Sequence, residues 1–118
     1  MILADTSVWV DHLRKGNERL AGFLNEGVVL CHPFIIGELA CGNLKNRNKI
    51  LGMLASLPSI PIVEHDEVLD FISRHKFQGK GIGLIDAHLL ASTYLAKCRI
   101  WTLDKSLLKI ANTLKVSI

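Results

Sequence analysis

The sequence predicts an α/β fold, a mainly parallel central sheet flanked by helices, on three observations. Short apolar runs without polar alternation recur at Ile2-Leu3-Ala4, Val28-Val29-Leu30-Cys31 and Ile100-Trp101-Thr102-Leu103. Such runs suit strands covered on both faces. Segments of helical period separate them, which implies right-handed crossovers between parallel strands. Two of the runs also stop abruptly at an acid, Asp5 and Asp104. The carboxyl ends of parallel strands are where such folds place ligands, so Asp5 is expected to be presented rather than buried. If the two strands lie parallel, Asp5 and Asp104 open onto one edge.

The elements follow in order. Ser7 is a candidate cap for a helix through roughly Arg14, broken by Gly16. Asn17 caps a second helix, Glu18 to Asn25, stopped by Gly27. After the strand at Val28, Pro33 sits in the first turn of a helix running from Phe34 to Cys41. A basic entry from Lys45 to Lys49 leads into a helix carrying Ile50, Leu51, Met53, Leu54 and Leu57, closed by Pro58. Ile60-Pro61-Ile62-Val63 reads as a short strand whose proline marks an edge or a strand start. Asp66 reads as the cap of a helix with Val68, Leu69, Phe71 and Ile72 on its apolar stripe. Gly79 to Gly83 is a loop before an apolar helix from Leu84 to Lys97, and a helix from Lys105 to about Ala111 precedes a last strand at Val116 to Ile118.

Length and composition bound the class. One domain over residues 1–118 can bury a core without disulfides or structural metal. No apolar run approaches bilayer-spanning length and no signal peptide precedes Ile2, so a cytoplasmic protein is expected. Cys31, Cys41 and Cys98 have neither metal-knuckle nor disulfide-framework spacing and read as small buried residues in a reducing compartment. A net charge of +3 is compatible with a polyanionic partner and discriminates little alone.

Two further acids lie where helical geometry gives them apolar neighbours. Glu38 has Phe34, Ile35 and Cys41 three or four positions away, and Asp86 has Ile82, Leu89 and Leu90. No lysine or arginine lies within a turn of either. Each acid also has a plain structural role open to it: a helix cap for Asp5 and Asp104, the exposed end of a short helix for Glu38, and a first-turn acid favoured by the dipole for Asp86. Their coincidence changes the balance. Two like charges about 4 Å apart cost roughly 4 kcal/mol at an effective dielectric near 20, against a domain stability of about 5 to 15 kcal/mol. Four such acids need a counter-charge, and an all-oxygen donor set selects magnesium or manganese over zinc. Such a site suggests phosphoryl transfer, with the hydroxyls of Thr6, Ser7 and Thr102 orienting the carboxylates or water.

The residues that carry this site also carry a resemblance. Asp5-Thr6-Ser7-Val8-Trp9, His32-Pro33 through Gly37-Glu38-Leu39-Ala40, Gly81-Ile82-Gly83 with Asp86-Ala87-His88-Leu89-Leu90-Ala91, and Trp101-Thr102-Leu103-Asp104-Lys105 together resemble the PIN-domain ribonucleases, most closely the VapC-type toxins of toxin–antitoxin pairs. The resemblance covers nearly the whole chain. It implies a PIN-like three-layer sandwich, and makes Asp5, Glu38 and Asp86 the acidic core of a metal site with Asp104 the fourth, more variable acid. It further implies a Mg2+- or Mn2+-dependent endoribonuclease that hydrolyses an RNA phosphodiester, commonly of transfer or ribosomal RNA, and leaves a 5′-phosphate. A homodimer and a cognate VapB-type antitoxin, whose tail fills the groove, complete the set of implied partners.

Lys45, Arg47, Lys49, Lys76, Lys80, Lys97 and Arg99 are candidate phosphate contacts, and equally an ordinary solvated surface. His88 lies two residues after Asp86 on another helix face and reads as structural; His12, His32, His65 and His75 lack metal-ligand spacing. Aromatics are too few for a single-strand stacking platform, so RNA would be read by shape and backbone. Two rivals remain. A phospho-acceptor receiver domain also has strand-end acids and magnesium, but Glu38 and Asp86 fall on helices. A non-catalytic RNA- or partner-binding module with the same fold is disfavoured by the intact acids.

Overall fold

The computed structural model describes residues 1–118 as β1 (Ile2–Ala4), α1 (Thr6–Lys15), α2 (Glu18–Asn25), β2 (Val29–Leu30), α3 (Pro33–Ala40), α4 (Arg47–Ser56), α5 (His65–His75), α6 (Leu84–Leu95), β3 (Arg99–Trp101) and α7 (Lys105–Thr113). The sheet is open and wholly parallel, in the order β2-β1-β3. Ile2 pairs with Val29 on one side and Arg99 on the other, and Ala4 pairs with Trp101. β1 is thus the central strand, and its unbroken apolar run is explained by burial on both faces: Leu3 and Ala4 are fully buried. Around them a single apolar core takes in Val8 and Trp9 of α1, Ile35 of α3, Leu89 and Leu90 of α6 and Leu107 of α7.

Several sequence expectations are corrected. Ile60 to Val63 is not a strand. Cys31 and Ser59 form one isolated parallel bridge, held by Ile60 N–H donating to the Cys31 carbonyl at 2.9 Å. The next N–H that ladder would use belongs to residue 33, a proline that already begins α3. Val116 to Ile118 likewise adds a single bridge, Ile100 to Ser117, not a fourth strand. The cap of α1 is Asp5 rather than Ser7, and that of α5 is Glu64, with Asp66 inside the first turn. Of the cysteines, all free, Cys31 is buried but Cys41 is exposed.

Helix ends are closed by a recurrent device. α2 ends in a Schellman turn, Val28 N–H donating to the Phe23 carbonyl and Gly27 N–H to Leu24, with Gly27 at φ +71°. The same pair of bonds closes α5, α6 and α7, where the left-handed position is taken by Lys76, Lys97 and Lys115.

Candidate active site

Because β1 and β3 run parallel and adjacent, their carboxyl ends bring Asp5 and Asp104 to one edge, as the sequence implies. The Asp5 N–H donates to the Trp101 carbonyl at 3.0 Å, continuing the ladder one residue beyond the strand. Asp5 is nevertheless buried, 4% exposed, contrary to the expectation that it would be presented. It is the N-cap of α1: its Oδ1 accepts from the Val8 N–H at 3.2 Å and from the Ser7 hydroxyl. Its Oδ2 accepts from the Thr102 hydroxyl. Burial pushes its carboxyl above the usual range, and these donors pull back toward the charged form.

Thr102 and Ser7 join the two strand ends. Thr102 Oγ1 accepts from the Asp104 N–H at 3.0 Å while donating to Asp5, and Ser7 Oγ accepts from the Leu103 N–H at 2.9 Å. Asp104 caps α7, its Oδ1 accepting from the Leu107 N–H at 3.0 Å, and its side chain is exposed. Capping and site membership are therefore compatible roles, since a cap occupies one carboxylate oxygen and leaves lone pairs on the other.

The remaining acids arrive on helices. Asp86 stands in the first turn of α6, half-buried. Its carboxyl is pushed up to about 6, first by burial and then by the charges of Asp5, Asp104 and Glu38, opposed by a backbone hydrogen bond at Gly83. The other three predicted acids thus all bear on Asp86. Glu38, on α3, is exposed rather than held in an apolar setting, and Thr6 Oγ1 donates to its Oε1 at 2.7 Å. It stands between two open clefts. One, of about 720 Å³, is lined by Thr6, Val10, Arg14, Leu39, Lys45 and Ile50; the other, of about 610 Å³, by Phe34, Ile62, Val63, His65, Leu84 and His88.

No cation answers these carboxylates. The ion pairs of the chain are Lys15 with Asp11 and Arg74 with Asp70, both elsewhere. No three His, Cys, Asp or Glu side chains converge into a closed metal cage. The donor chemistry still fits a hard divalent ion. Magnesium characteristically keeps several waters and takes only one or two carboxylates beside substrate phosphates, a demand that an all-oxygen donor set suits.

Three contributors escape a reading of the sequence. Thr6 is recognisable as a site hydroxyl, but its partner, Glu38, is not. The Gly83 backbone, which favours Asp86 in its charged form, leaves no side-chain signal. His32 caps α3, its Nδ1 accepting from the Phe34 N–H at 3.0 Å, while its buried Nε2 has no partner. Burial, and then the neighbouring His88, lower its pKa to about 4. His88 is itself buried with an unpartnered Nδ1.

Comparison with known proteins agrees with this geometry. Residues 2–112 match the PIN domain. The chain belongs to the PIN-domain family. It is 47% identical over 108 residues to proteins named Ribonuclease VapC32 in two strains of Mycobacterium tuberculosis, CDC 1551 / Oshkosh and ATCC 25618 / H37Rv, covering 91% of this chain and 87% of each relative. This PIN domain is therefore of the VapC type. Among solved structures, a chain of FitAB bound to an IR36 DNA fragment superposes with a TM-score of 0.62 at 22% identity, covering 95% of this chain and 91% of that one, which speaks to the fold. No helix is long and apolar enough to cross a membrane.

Proposed function

We propose that this PIN domain, a single domain over residues 1–118, is a metal-dependent endoribonuclease toxin acting in the cytoplasm on transfer or ribosomal RNA and restrained by a cognate VapB-type antitoxin. The observation that carries the reading is that the charges of Asp5, Asp104 and Glu38 all bear on Asp86 with no cation paired to any of them. The naming of the 47% identical relatives as ribonucleases supports the same conclusion.

Asp5, Asp86, Asp104 and Glu38 would hold Mg2+ or Mn2+. When bound, such an ion supplies Lewis acidity toward the phosphodiester and neutralises charge that develops during hydrolysis. The chain's own groups do the rest. Ser7, Thr102 and the Val8 N–H fix both oxygens of Asp5, so its carboxylate is oriented before ligand arrives. Thr6 aims Glu38 in the same way. Burial and the neighbouring acids push the Asp86 carboxyl up to about 6, so it is the group that gains most from a cation that would hold it charged. Arg14 and Lys45 line the larger cleft beside Glu38 and are placed to accept the phosphates of an RNA strand or the acidic side chains of an antitoxin tail. The smaller cleft is edged by exposed Phe34, Ile62 and Leu84, an apolar face suited to the second copy of a homodimer.

The test is cleavage of purified total RNA by antitoxin-free protein with manganese or magnesium, beside a chelator control and Asp5→Ala purified identically. Discrete products that require both metal and Asp5 support the reading. Products indifferent to either would sink it, and metal binding without cleavage would move the weight to the non-catalytic module.

A further inference from the structure

We propose that the pole of the molecule opposite the carboxylates is a second RNA-binding surface, where Lys76, Lys97 and Lys115 hold the phosphate backbone of a structured substrate and Tyr94 stacks on one of its bases. The proposal rests on the ribonuclease reading and deepens it, by giving the enzyme a reason to prefer folded RNA over short strands.

The three lysines occupy equivalent positions. Each follows the end of a helix, α5, α6 or α7, at φ +58°, +56° and +59°. Each makes the same turn: Phe77 to Ile72 with Lys76 to Ser73, Cys98 to Thr93 with Lys97 to Tyr94, and Val116 to Ala111 with Lys115 to Asn112. Left-handed backbone is the province of glycine, because a Cβ crowds the neighbouring carbonyl. The chain does use glycine where nothing else is asked: Gly16 closes α1 and Gly27 the Schellman turn of α2. A favourable interaction with the helix dipole does not explain the lysines, since a basic residue one or two positions earlier, in helical backbone, would have it equally. Strain accepted three times over points to function.

Topology gathers the three at one place. In a parallel sheet whose acids stand at the strands' carboxyl ends, the helices return antiparallel and finish at the amino ends. Lys97 precedes β3, and Lys115 precedes the segment that bridges to Ile100. Arg99 ties the two together, its Nη1 donating to the carbonyls of Lys115 at 3.1 Å and Ser117 at 3.3 Å. The end of α5 lies against that of α6, because the His75 and Tyr94 rings meet edge to face at 5.2 Å. Lys76, Lys97, Arg99 and Lys115 alone exceed the chain's net charge of +3, so the rest of the molecule is net negative. A polyanion is therefore drawn to this pole more than to any average of the surface.

Tyr94 supplies the second recognition element. It is 41% exposed, and its ring is braced by His75 and by Phe71 at 5.5 Å, with Phe77 packed behind Phe71. One exposed ring is not a single-strand platform, but it is one stacking step beside a row of cations. From Asp86 to Tyr94 the axis of α6 rises about 12 Å. An RNA with its scissile phosphate at the carboxylates can thus follow α6 to the lysines, a path of about four nucleotides at roughly 3.4 Å of duplex axis each, which a dinucleotide cannot span.

The test exploits the backbone. In Lys76→Gly/Lys97→Gly/Lys115→Gly the charges go and the strain is relieved, so the melting temperature should rise while affinity for bulk transfer RNA, measured in chelator to prevent cleavage, falls at least tenfold. The salt dependence of binding should flatten by about two to three in log–log slope. Tyr94→Leu should weaken binding about fivefold or more without changing that slope. Both variants should keep wild-type kcat/KM on an oligoribonucleotide of two or three nucleotides containing a cleaved site, and show a raised KM on the folded RNA. Unchanged affinity and slope in the glycine variant would overturn the proposal, as would a loss that is equal on short and folded substrates. If instead the variants turn a dimer into a monomer with RNA affinity intact, the pole is a contact between copies and the proposal fails. A wild type that neither binds nor cleaves RNA removes the ribonuclease reading itself, whereas a wild type that cleaves beside unaffected variants removes only this surface.

Discussion

Replacing Asp86 with asparagine should stabilise the protein while abolishing cleavage. The carboxyl lies at about 6 in the fold against an ordinary value of 3.8. The difference corresponds to roughly 3 kcal/mol between the protonation states. Partial exposure screens the neighbours' charges, so about 1 to 2 kcal/mol is the better expectation. The sign follows from the direction: an acid whose folded pKa is raised adds its full share of stability below about 4 and loses it as pH rises through about 6. The asparagine side chain would keep the size and polarity of the aspartate and escape that loss. At pH 7.5 in chelator, Asp86→Asn should melt about 3 to 8 °C above wild type. Most of the gap should close by about pH 4, where wild-type Asp86 is protonated in the fold and roughly 40% so when unfolded. It should also narrow on adding magnesium, because a cation compensates only the wild type. A variant that melts at or below wild type at pH 7.5 and shows no convergence at low pH would refute the repulsion argument. A variant that cleaves normally would remove Asp86 from the site.

Further outcomes are expected. Thr102→Val removes the donor to Asp5 and the acceptor for the Asp104 N–H from a buried position; chemical denaturation should show a loss of about 1 to 3 kcal/mol, and cleavage should fall about 10- to 100-fold. Wild-type melting temperature should rise with Mg2+ or Mn2+ and return with chelator, since a ligand confined to the native state at about 100 times its Kd adds about 2.7 kcal/mol; indifference to both would remove the metal site. His32, lowered to about 4 in the fold from 6.5, is protonated more readily when unfolded, so its contribution is complete above about 6.5 and is lost as pH falls toward about 4. In an Asp86→Asn background, denaturation at pH 7 and pH 4.5 should differ by up to about 3 kcal/mol, and His32→Asn, which can still cap α3, should flatten that dependence.

How far the site is legible in the sequence depends on which atoms carry it. Asp5 and Asp104 announce themselves because an uninterrupted apolar strand ends at each acid, and Glu38 and Asp86 because their helical neighbours are apolar. What the one-dimensional pattern hides is the use of each oxygen. Asp5 serves α1 with Oδ1 and Thr102 with Oδ2, so capping and the site share one carboxylate, and that double engagement explains why it is buried. At Ile60 to Val63 an apolar run with proline looks like an edge strand, whereas the segment it pairs with turns into α3 at Pro33 and leaves the ladder a single bridge long. Cys41 belongs inside by residue type, yet it follows α3 on the side of Glu38 and the smaller cleft, and is exposed. The positive-φ lysines are invisible for a different reason. Lysine carries no propensity for that backbone, so only the structure reveals the constraint.

The pairing of β1 with β3 has a consequence in time. Asp5 is synthesised 97 residues before the hydroxyl that orients it, that of Thr102, and its neighbour in the sheet is Trp101. Contacts of such separation form late, after the intervening chain has been synthesised and closed into a loop. A nascent chain therefore carries an unassembled site until Thr102 has emerged. A chain interrupted before residue 99 would hold three of the four acids and no strand to set Asp5 against.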